Sequence, residues 1–450
     1  MIEQVLTSMR PRGNAPAIFW MDRTVSYADF AALIDEWVAR LGEHGIGQGA
    51  VCAVIGDYSP QTCALFFALM RTRSVAVPFT RVIEQERNGL MQIAGVRWVI
   101  DVDERDAFSI VELEQPSEPN AIVEKLSARG RPGLIVFTSG STGKPKGILH
   151  DCERVMQKFA TERPGWRTVL FLMMDHFGGF NTYLSAFAYG GVAVCVPDRS
   201  AEAVCRAIQQ SRADLLPTTP TFLNLLIASG SYKDFDLSSV KLITYGTEVM
   251  PEATLQRIRS VFPRARLKQT YGLSELGVLR SKSKDDDSVW VRIGGDGFEV
   301  KIIDQILWVR SESSMIGYLN APDPFDGEGW MCTGDHVEVR GDFVRILGRK
   351  SEFINVGGQK VFPSEVESIL LEADNVHEAT AYAAPHPIFG QVVHCRVSLA
   401  EPEDPAELTK RLRRFCVERM AKFKIPMRFN IVEQSEQRSD RFKKVRRLDP

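Results

Sequence analysis

Three glycines, four hydroxyls and two lysines fall within ten residues, Thr138 to Gly147 (TSGSTGKPKG), directly behind the apolar run Leu134-Ile135-Val136-Phe137. A buried strand leading into such a segment can turn several backbone N–H groups and hydroxyls toward one point. Lys144 and Lys146 add positive charge, so the natural guest is a polyphosphate. The spacing excludes two better-known loops. A Walker A loop needs four residues between its glycines and opens a helix. Here Gly140 and Gly143 are too close together, and Pro145 disfavours helix at Lys144. A nucleophile elbow needs Gly two residues before its Ser, where Ser139 stands before Ser141. A flexible Ser/Gly linker would not sit behind a buried strand with lysines fixed in it.

Four further stretches suit the handling of a nucleotide. In Gln269-Thr270-Tyr271-Gly272-Leu273-Ser274-Glu275, a Tyr ring can stack on a base, a Ser can bond a phosphate and a Glu can hold Mg²⁺. In Thr333-Gly334-Asp335, a carboxylate on a tight turn can accept two hydrogen bonds from a ribose diol. Gly348-Arg349 is followed by Asn355-Val356-Gly357-Gly358 and by Pro363-Ser364-Glu365. Last comes a basic run, Arg441-Phe442-Lys443-Lys444-Val445-Arg446-Arg447. Each alone has an ordinary explanation: a strand end with its turn, a Gly-Asp corner, a solvated basic face.

The elements that must position these residues follow from length and pattern. A chain of 450 residues calls for two or three domains. Its 44% apolar and 25% charged residues are ordinary for a globular protein, and a net charge of −2 gives no reason to expect a nucleic acid partner. Met1 to Arg10 has no apolar core of signal-peptide length, and no apolar run is long enough for a membrane span. Eight scattered cysteines without a C-x-x-C pair argue against a zinc site or a disulfide framework. Buried thiols in a reducing cytoplasm are expected instead.

Ser26 to Leu41 reads as a helix, with Ser26 and Asp29 as a capping box and Phe30, Leu33, Ile34, Trp37 and Leu41 on one face. Strands are expected at Val51–Ile55 and Val75–Val77, with a helix at Pro60–Met70 between them. Asp103 to Arg129 is polar and is expected to wrap the surface. Strands at Val192–Val196 and Leu242–Tyr245 and helices at Ala201–Gln210 and after Thr219-Pro220 continue the alternation, which indicates an α/β domain with a largely parallel sheet. Ser288 to Leu347 changes to short alternating runs, as in a small β subdomain or barrel. Beyond Arg349 the chain restarts as mixed α and β. Pro363-Ser364-Glu365-Val366-Glu367 and Asp404-Pro405-Ala406-Glu407 read as capped helix starts, and strands fit Glu378–Ala383 and Val392–Leu399. The division expected is residues 1–349, stacked α/β subdomains with a β-barrel-like addition, and residues 350–450, a smaller α+β domain.

Together and in this order, the stretches resemble the adenylate-forming superfamily: acyl-CoA synthetases, adenylation domains of peptide synthetases and beetle luciferases. The resemblance runs nearly end to end, from Ser26-Tyr27, Gly45 to Gly49 and Ser59-Pro60 through Thr138 to Gly147, Tyr271 to Glu275, Thr333-Gly334-Asp335 and Gly348-Arg349. It implies ATP, Mg²⁺ and a carboxylic acid as reactants. Thr138, Ser139, Gly140, Ser141, Thr142, Gly143 and Lys146 would close over the β- and γ-phosphates. Tyr271 would lie against the adenine, among Gly246, Thr247, Glu248, Thr270 and Gly272. Ser274 would bond the α-phosphate, Glu275 with Thr138 would hold Mg²⁺, and Asp335, helped by Arg349, would take the ribose hydroxyls. His176, with Gly179 three residues on, would stand beside the acyl carboxylate, and Phe177, Gly179, Phe180 and Tyr183 would line the acyl pocket.

The resemblance also implies a mobile C-terminal domain that supplies a catalytic lysine, normally in Gly-Lys-Ile-x-Arg. The Gly is missing here. Lys444 fits best, and Lys443 is one register away. Ser351 replaces the usual Asp or Lys of the hinge, and Arg73 replaces a usual Gly. Gly357-Gly358 would present the activated acyl group to a thiol, from coenzyme A or from the phosphopantetheine arm of an acyl carrier protein. Adenylation domains for amino acids carry Asp where Phe177 stands, so an aryl or fatty acid is the expected substrate, although Gly246-Thr247-Glu248 leans toward the Gly-Gly-Glu of those domains. The enzyme is expected to be a monomer or homodimer.

Overall fold

The computed structural model describes residues 1–80, 84–114, 120–139, 144–285, 288–295, 297–437, 444 and 446. Two seven-stranded sheets form the large N-terminal domain. The first runs Arg266–Gln269, Leu242–Tyr245, Leu215–Thr218, Arg167–Leu170, Val192–Cys195, Pro16–Trp20, Arg23–Ser26, and all but the last neighbours pair in parallel. The second runs Gly317–Tyr318, Pro145–Asp151, Gly133–Ser139, Val75–Phe79, Val51–Ile55, Trp98–Val102, Phe108–Glu112, with a parallel centre and antiparallel edges.

Helices fill the space between the sheets. The helix Tyr27–Glu43 starts where Ser26 Oγ accepts the Asp29 N–H at 3.1 Å, a cap worth about 1 kcal/mol. It buries Phe30, Ile34, Trp37 and Leu41. Helices Pro60–Arg71 and Phe177–Ala188 join it. Their aromatic rings interlock: Phe30 stacks on Phe187 at 4.7 Å, and Tyr183 meets Phe67 at 5.3 Å. One apolar core takes Leu134 and Val136 from one sheet, Leu170 and Ala193 from the other, and side chains from all three helices. The two sheets are thereby fixed relative to each other, which the site requires. Ser59 before Pro60, Thr219 before Pro220 and Asp404 before Pro405 repeat one device, a side-chain cap followed by a proline that needs no N–H partner.

A six-stranded antiparallel sheet of Ser281–Ser283, Val291–Ile293, Phe343–Arg349, Met331–Arg340, Ile306–Ser311 and Phe298–Ile303 makes the β subdomain. After Arg349 a short 3-10 turn, Lys350–Glu352, leads to a separate sheet built on Val376–His386 and Gly390–Leu399 and packed by the helices Pro363–Leu370 and Pro405–Val417. The overall architecture is the expected α/β one. All eight cysteines are free, and all but Cys332 are buried. Among the described residues no helix is long and apolar enough to cross a membrane.

Several local expectations are corrected. The strand Val75–Phe79 passes through Pro78 instead of stopping before it. Its pairing with Gly133–Ser139 holds only at Val75 and Ala76, so that side of the strand is open beside Pro78, where a missing N–H is tolerated. The polar stretch 103–129 contains an edge strand, Phe108–Glu112, and a helix, Ala121–Ala128, capped by Asn120. Ser364 is no cap, since its hydroxyl donates to the Leu347 carbonyl at 2.5 Å and Phe362 occupies the cap position without a side-chain bond. Arg73, at the usual glycine position, takes φ +60, the left-handed region that favours glycine.

Candidate active site

The two flanks of the glycine-rich segment pair as an antiparallel hairpin. Phe137 pairs with Gly147, Thr138 with Lys146 and Ser139 with Pro145, so Thr138, Ser139 and Pro145 to Gly147 lie in strands where a loop was expected. Gly140, Ser141, Thr142 and Gly143 lie outside the described residues. The hairpin is pinned from a distant part of the chain. Asn320 Oδ1 accepts the Gly147 N–H at 3.0 Å, and its Nδ2 donates to the Pro145 carbonyl at 2.9 Å. A Cβ on Gly147 would stand 2.8 Å from Leu319 Cδ1, so a larger residue there would push the Leu319 side chain aside.

Beside the hairpin, Gly317–Tyr318 pairs with Leu149 and Ile148. The Tyr318 ring lies 4.9 Å from Lys146 Nζ, and its hydroxyl donates to Glu275 Oε1 at 2.7 Å. Tyr318 thus joins the phosphate hairpin to the expected Mg²⁺ ligand. Burial, with the Glu275 charge next to it, pushes the Tyr318 hydroxyl well above its ordinary range, so it stays a donor.

The side expected to take the nucleotide is built at the carboxyl ends of parallel strands, where ligands of α/β sheets bind. Leu242–Tyr245 runs into Gly246-Thr247-Glu248, and Arg266–Gln269 into Thr270-Tyr271-Gly272. The Thr270 N–H and hydroxyl both donate to the Tyr245 carbonyl, at 2.8 and 3.1 Å. A Cβ on Gly246 would meet Thr270 Oγ1 at 2.5 Å, and one on Gly272 would meet the Gly277 carbonyl at 2.6 Å. Both glycines are therefore dictated by close backbone packing. Thr247 takes φ +69, a strained setting for a β-branched residue that functional sites commonly hold.

Tyr271 and Asp335, expected on adenine and ribose respectively, are bonded to each other: the Tyr271 hydroxyl donates to Asp335 Oδ2 at 2.6 Å. Arg349, directly opposite Asp335 on the neighbouring strand, donates to Oδ1 at 3.3 Å. The Asp335 N–H is held by Thr333 Oγ1 at 3.1 Å. Burial raises the Asp335 carboxyl above the ordinary range, opposed by Arg349 and the Tyr271 hydroxyl. A buried carboxylate aimed and charge-balanced in this way suits a diol, which offers two further donors. Ser274 turns its carbonyl to His150 Nε2, 2.7 Å away.

His176 caps the helix Phe177–Ala188, with Nδ1 accepting the Gly178 N–H at 3.2 Å. The cap fixes the ring at the helix start. Gly179 is required by packing, since a Cβ there would stand 2.0 Å from the Met173 carbonyl oxygen. Phe177 lies against the His150 ring at 4.4 Å and within 3.5 Å of a Cβ built on Gly277, beside the Tyr271–Glu275 segment. Phe180 and Tyr183 are buried and packed against Phe66, and Tyr183 also meets Phe67.

The domain junction is close by. Ser351 sits in the 3-10 turn after Arg349. Gly357 and Gly358 form the turn between Ile354–Val356 and Gln359–Val361 with φ +57 and +87. The Gly357 N–H donates to the Phe389 carbonyl at 3.0 Å, and the Gly358 N–H to Asn355 Oδ1 at 2.9 Å. The Lys444 backbone reaches the large domain, its N–H donating to Glu248 Oε1 at 2.9 Å. Lys443 lies outside the described residues. Sequence reasoning missed Tyr318 and Asn320. Their only signal was a Gly-Tyr-x-Asn cluster, and their pairing with the hairpin spans more than 160 residues.

Among the described residues no three His, Cys, Asp or Glu side chains converge as a metal cage. Glu275, a hard oxygen donor, and the Thr138 hydroxyl suit Mg²⁺ carried in on the phosphates of a nucleotide.

A family model described as AMP-binding enzyme matches residues 6–319, and one described as AMP-binding enzyme C-terminal domain matches residues 365–440. The indoleacetate–CoA ligase of Aromatoleum aromaticum is 28% identical, covering 91% of this chain and 90% of its own. The 2-succinylbenzoate–CoA ligase of Bacillus subtilis is 24% identical, covering 93% and 91%. The crystal structure of an anthranilate CoA ligase in complex with anthranoyl-AMP superimposes with a TM-score of 0.83 at 19% identity, covering 99% of this chain and 95% of the other. The chain belongs to the AMP-binding enzyme family.

Proposed function

We propose that the protein activates an aryl or fatty carboxylic acid with ATP and then transfers the acyl group to the thiol of coenzyme A. The observation that carries this reading is the joined pair of subsites: Tyr271–Asp335–Arg349 for the nucleoside, and Lys146–Tyr318–Glu275 for the phosphates. The ligases of similar sequence act on indoleacetate and 2-succinylbenzoate by their names, which supports an aryl acid here. Phe177 where an amino-acid enzyme needs Asp supports it further.

A carboxylate is too weak an electrophile to accept a thiol near neutral pH. One carboxylate oxygen attacks the α-phosphorus in line, the bond from that phosphorus to the bridging oxygen breaks, and pyrophosphate leaves. Mg²⁺ on Glu275 and Thr138 supplies charge neutralisation when bound. Lys146 and a lysine of the terminal basic run add positive charge where negative charge develops, each such group being worth about 10²–10³ in rate. His176, fixed by its cap, borders the reacting carboxylate. In the second step the thiol attacks the acyl carbon, the bond to the AMP oxygen breaks, AMP leaves and the thiol proton passes to solvent. The turn Gly357-Gly358 would guide that thiol once the C-terminal domain has swung about Ser351.

The test is acid-dependent ATP–pyrophosphate exchange over a panel of aryl, fatty and amino acids, followed by thioester formation with coenzyme A and with a phosphopantetheinylated carrier protein. Exchange with an aryl or fatty acid and thioester on coenzyme A are expected. ATP hydrolysis without any acid, or no exchange with any acid, overturns the reading.

A further inference from the structure

Lys444 is engaged in a place that a phosphate-contacting lysine could not afford. Its Nζ donates to Glu367 Oε2 at 3.0 Å and to the Ala379 carbonyl at 2.8 Å. Arg446 grips the same carboxylate, from Nε to Oε1 at 3.2 Å and from Nη2 to Oε2 at 3.0 Å. The Ala381 N–H adds a further bond to Oε1 at 3.1 Å. The Glu367 and Lys444 side chains are 2% and 7% exposed. A carboxylate so buried is stable as an anion only while its cations stay in place, and withdrawing one of them would leave charge unpaired.

Glu367, Ala379 and Ala381 belong to the helix Pro363–Leu370 and the strand Val376–His386, so this clamp lies wholly within the C-terminal domain and travels with it. The Lys444 main chain does the opposite. Its N–H meets Glu248 Oε1, whose other oxygen takes the Thr221 hydroxyl at 2.7 Å and N–H at 3.3 Å at the start of the helix Pro220–Ser229. The side chain anchors Lys444 to the small domain, while its N–H docks it on the large one, beside the Gly246-Thr247-Glu248 loop.

We propose that Lys444 is a positioning residue: with Arg446 it holds Glu367, and this clamp sets the terminal segment against Glu248 for the adenylation step. The proposal rests on the adenylation reading above. Of the two lysines that the sequence leaves open, phosphate contact then falls to Lys443.

The test compares Lys444→Met, Lys444→Arg, Glu367→Gln, the Lys444→Met/Glu367→Gln double variant and Lys443→Met in the full chain. Pyrophosphate exchange and thioester formation from synthetic acyl-adenylate are the two readouts. Expected are roughly tenfold losses of exchange kcat for Lys444→Met and for Glu367→Gln, with KM for ATP nearly unchanged. The double variant is expected to be no worse than the poorer single, because the two residues form one device. Lys444→Arg restores most of the rate, since a guanidinium still reaches the carboxylate. Lys443→Met is expected to lose at least 10²-fold. Thioester formation from acyl-adenylate changes little in all of them. A loss of 10²–10³ in Lys444→Met alone, with no rescue by Arg and a neutral Glu367→Gln, overturns the proposal.

Lysine labelling of the wild-type protein, read by mass spectrometry, decides even where a variant fails to fold. Lys444 is expected to label slowly with or without an acyl-adenylate analogue. Ready labelling of Lys444 that the analogue suppresses overturns the proposal. Absence of exchange in the wild type would sink the adenylation reading instead, and the labelling would still judge the clamp.

Discussion

The Tyr271 hydroxyl and Asp335 Oδ2, 64 residues apart in the chain, are 2.6 Å apart in the structure. The bond joins the strand end that would carry the base to the strand Met331–Arg340, which would carry the ribose where the sequence suggested a turn. A single neutral donor to a charged acceptor contributes about 1.5–3 kcal/mol. Tyr271→Phe keeps the ring and removes the bond, so KM for ATP should rise about tenfold while kcat changes little. Asp335→Asn removes the charge that Arg349 balances and should cost more than Tyr271→Phe. Equal or opposite effects in steady-state kinetics would separate the two residues from a shared subsite.

Tyr318 couples Lys146 to Glu275 without being a charged group itself. Tyr318→Phe keeps the ring that Lys146 approaches and deletes the donor to Glu275 Oε1. Glu275 is then held less firmly, and the Mg²⁺ concentration for half-maximal exchange should rise severalfold. Glu275→Gln should abolish most activity at any Mg²⁺ concentration. A Mg²⁺ titration of both variants checks the order.

His150 makes the fold sensitive to mild acid. It is fully buried, its Nε2–H is spent on the Ser274 carbonyl and Nδ1 has no partner among the described residues. Burial lowers its pKa to about 3 from 6.5, so the native state holds it neutral. The unfolded chain binds the extra proton between those values. Stability is therefore constant above pH 6.5 as far as this residue is concerned and falls as pH drops from 6.5 toward 3, by roughly 2 kcal/mol at pH 5. His150→Gln, which can still donate to the carbonyl, should flatten the dependence between pH 6.5 and 5 in denaturant titrations. An unchanged slope would exclude His150 as its source.

The parts of the site that lie within one strand–turn unit were legible in the sequence. Tyr245 into Gly246, Gln269 into Tyr271, and Thr219 with Pro220 are local patterns, and local patterns carry their own turn and cap chemistry. The resemblance supplied roles for them. What the sequence hid was pairing over distance. The hairpin that takes up Thr138, Ser139 and Pro145 to Gly147 needs both strands in register, and glycine and lysine content suggested a loop instead. The contacts of Phe180 and Tyr183 with Phe66 and Phe67, more than 100 residues earlier, were hidden in the same way. Lys444 fitted a motif by position, and its bond to Glu367, 77 residues earlier, is a contact that no local pattern announces.

Asn320 tests whether the hairpin must be held for catalysis. Its side chain closes both ends of a short backbone stretch, accepting from Gly147 and donating to Pro145. Asn320→Asp keeps the acceptor and loses the donor, and it brings negative charge next to the expected phosphates. Asn320→Ala loses both bonds, each worth about 1 kcal/mol, without adding charge. If the pin acts by ordering the hairpin, Asn320→Ala should speed amide hydrogen exchange at Lys146 and Gly147 and raise KM for ATP about tenfold. The Asp variant should be worse in KM yet slower in exchange than Ala, since it still accepts from Gly147. Were Asp the milder of the two in KM, the pin would be acting through backbone order alone and the phosphates would lie farther from residue 320 than the hairpin geometry requires.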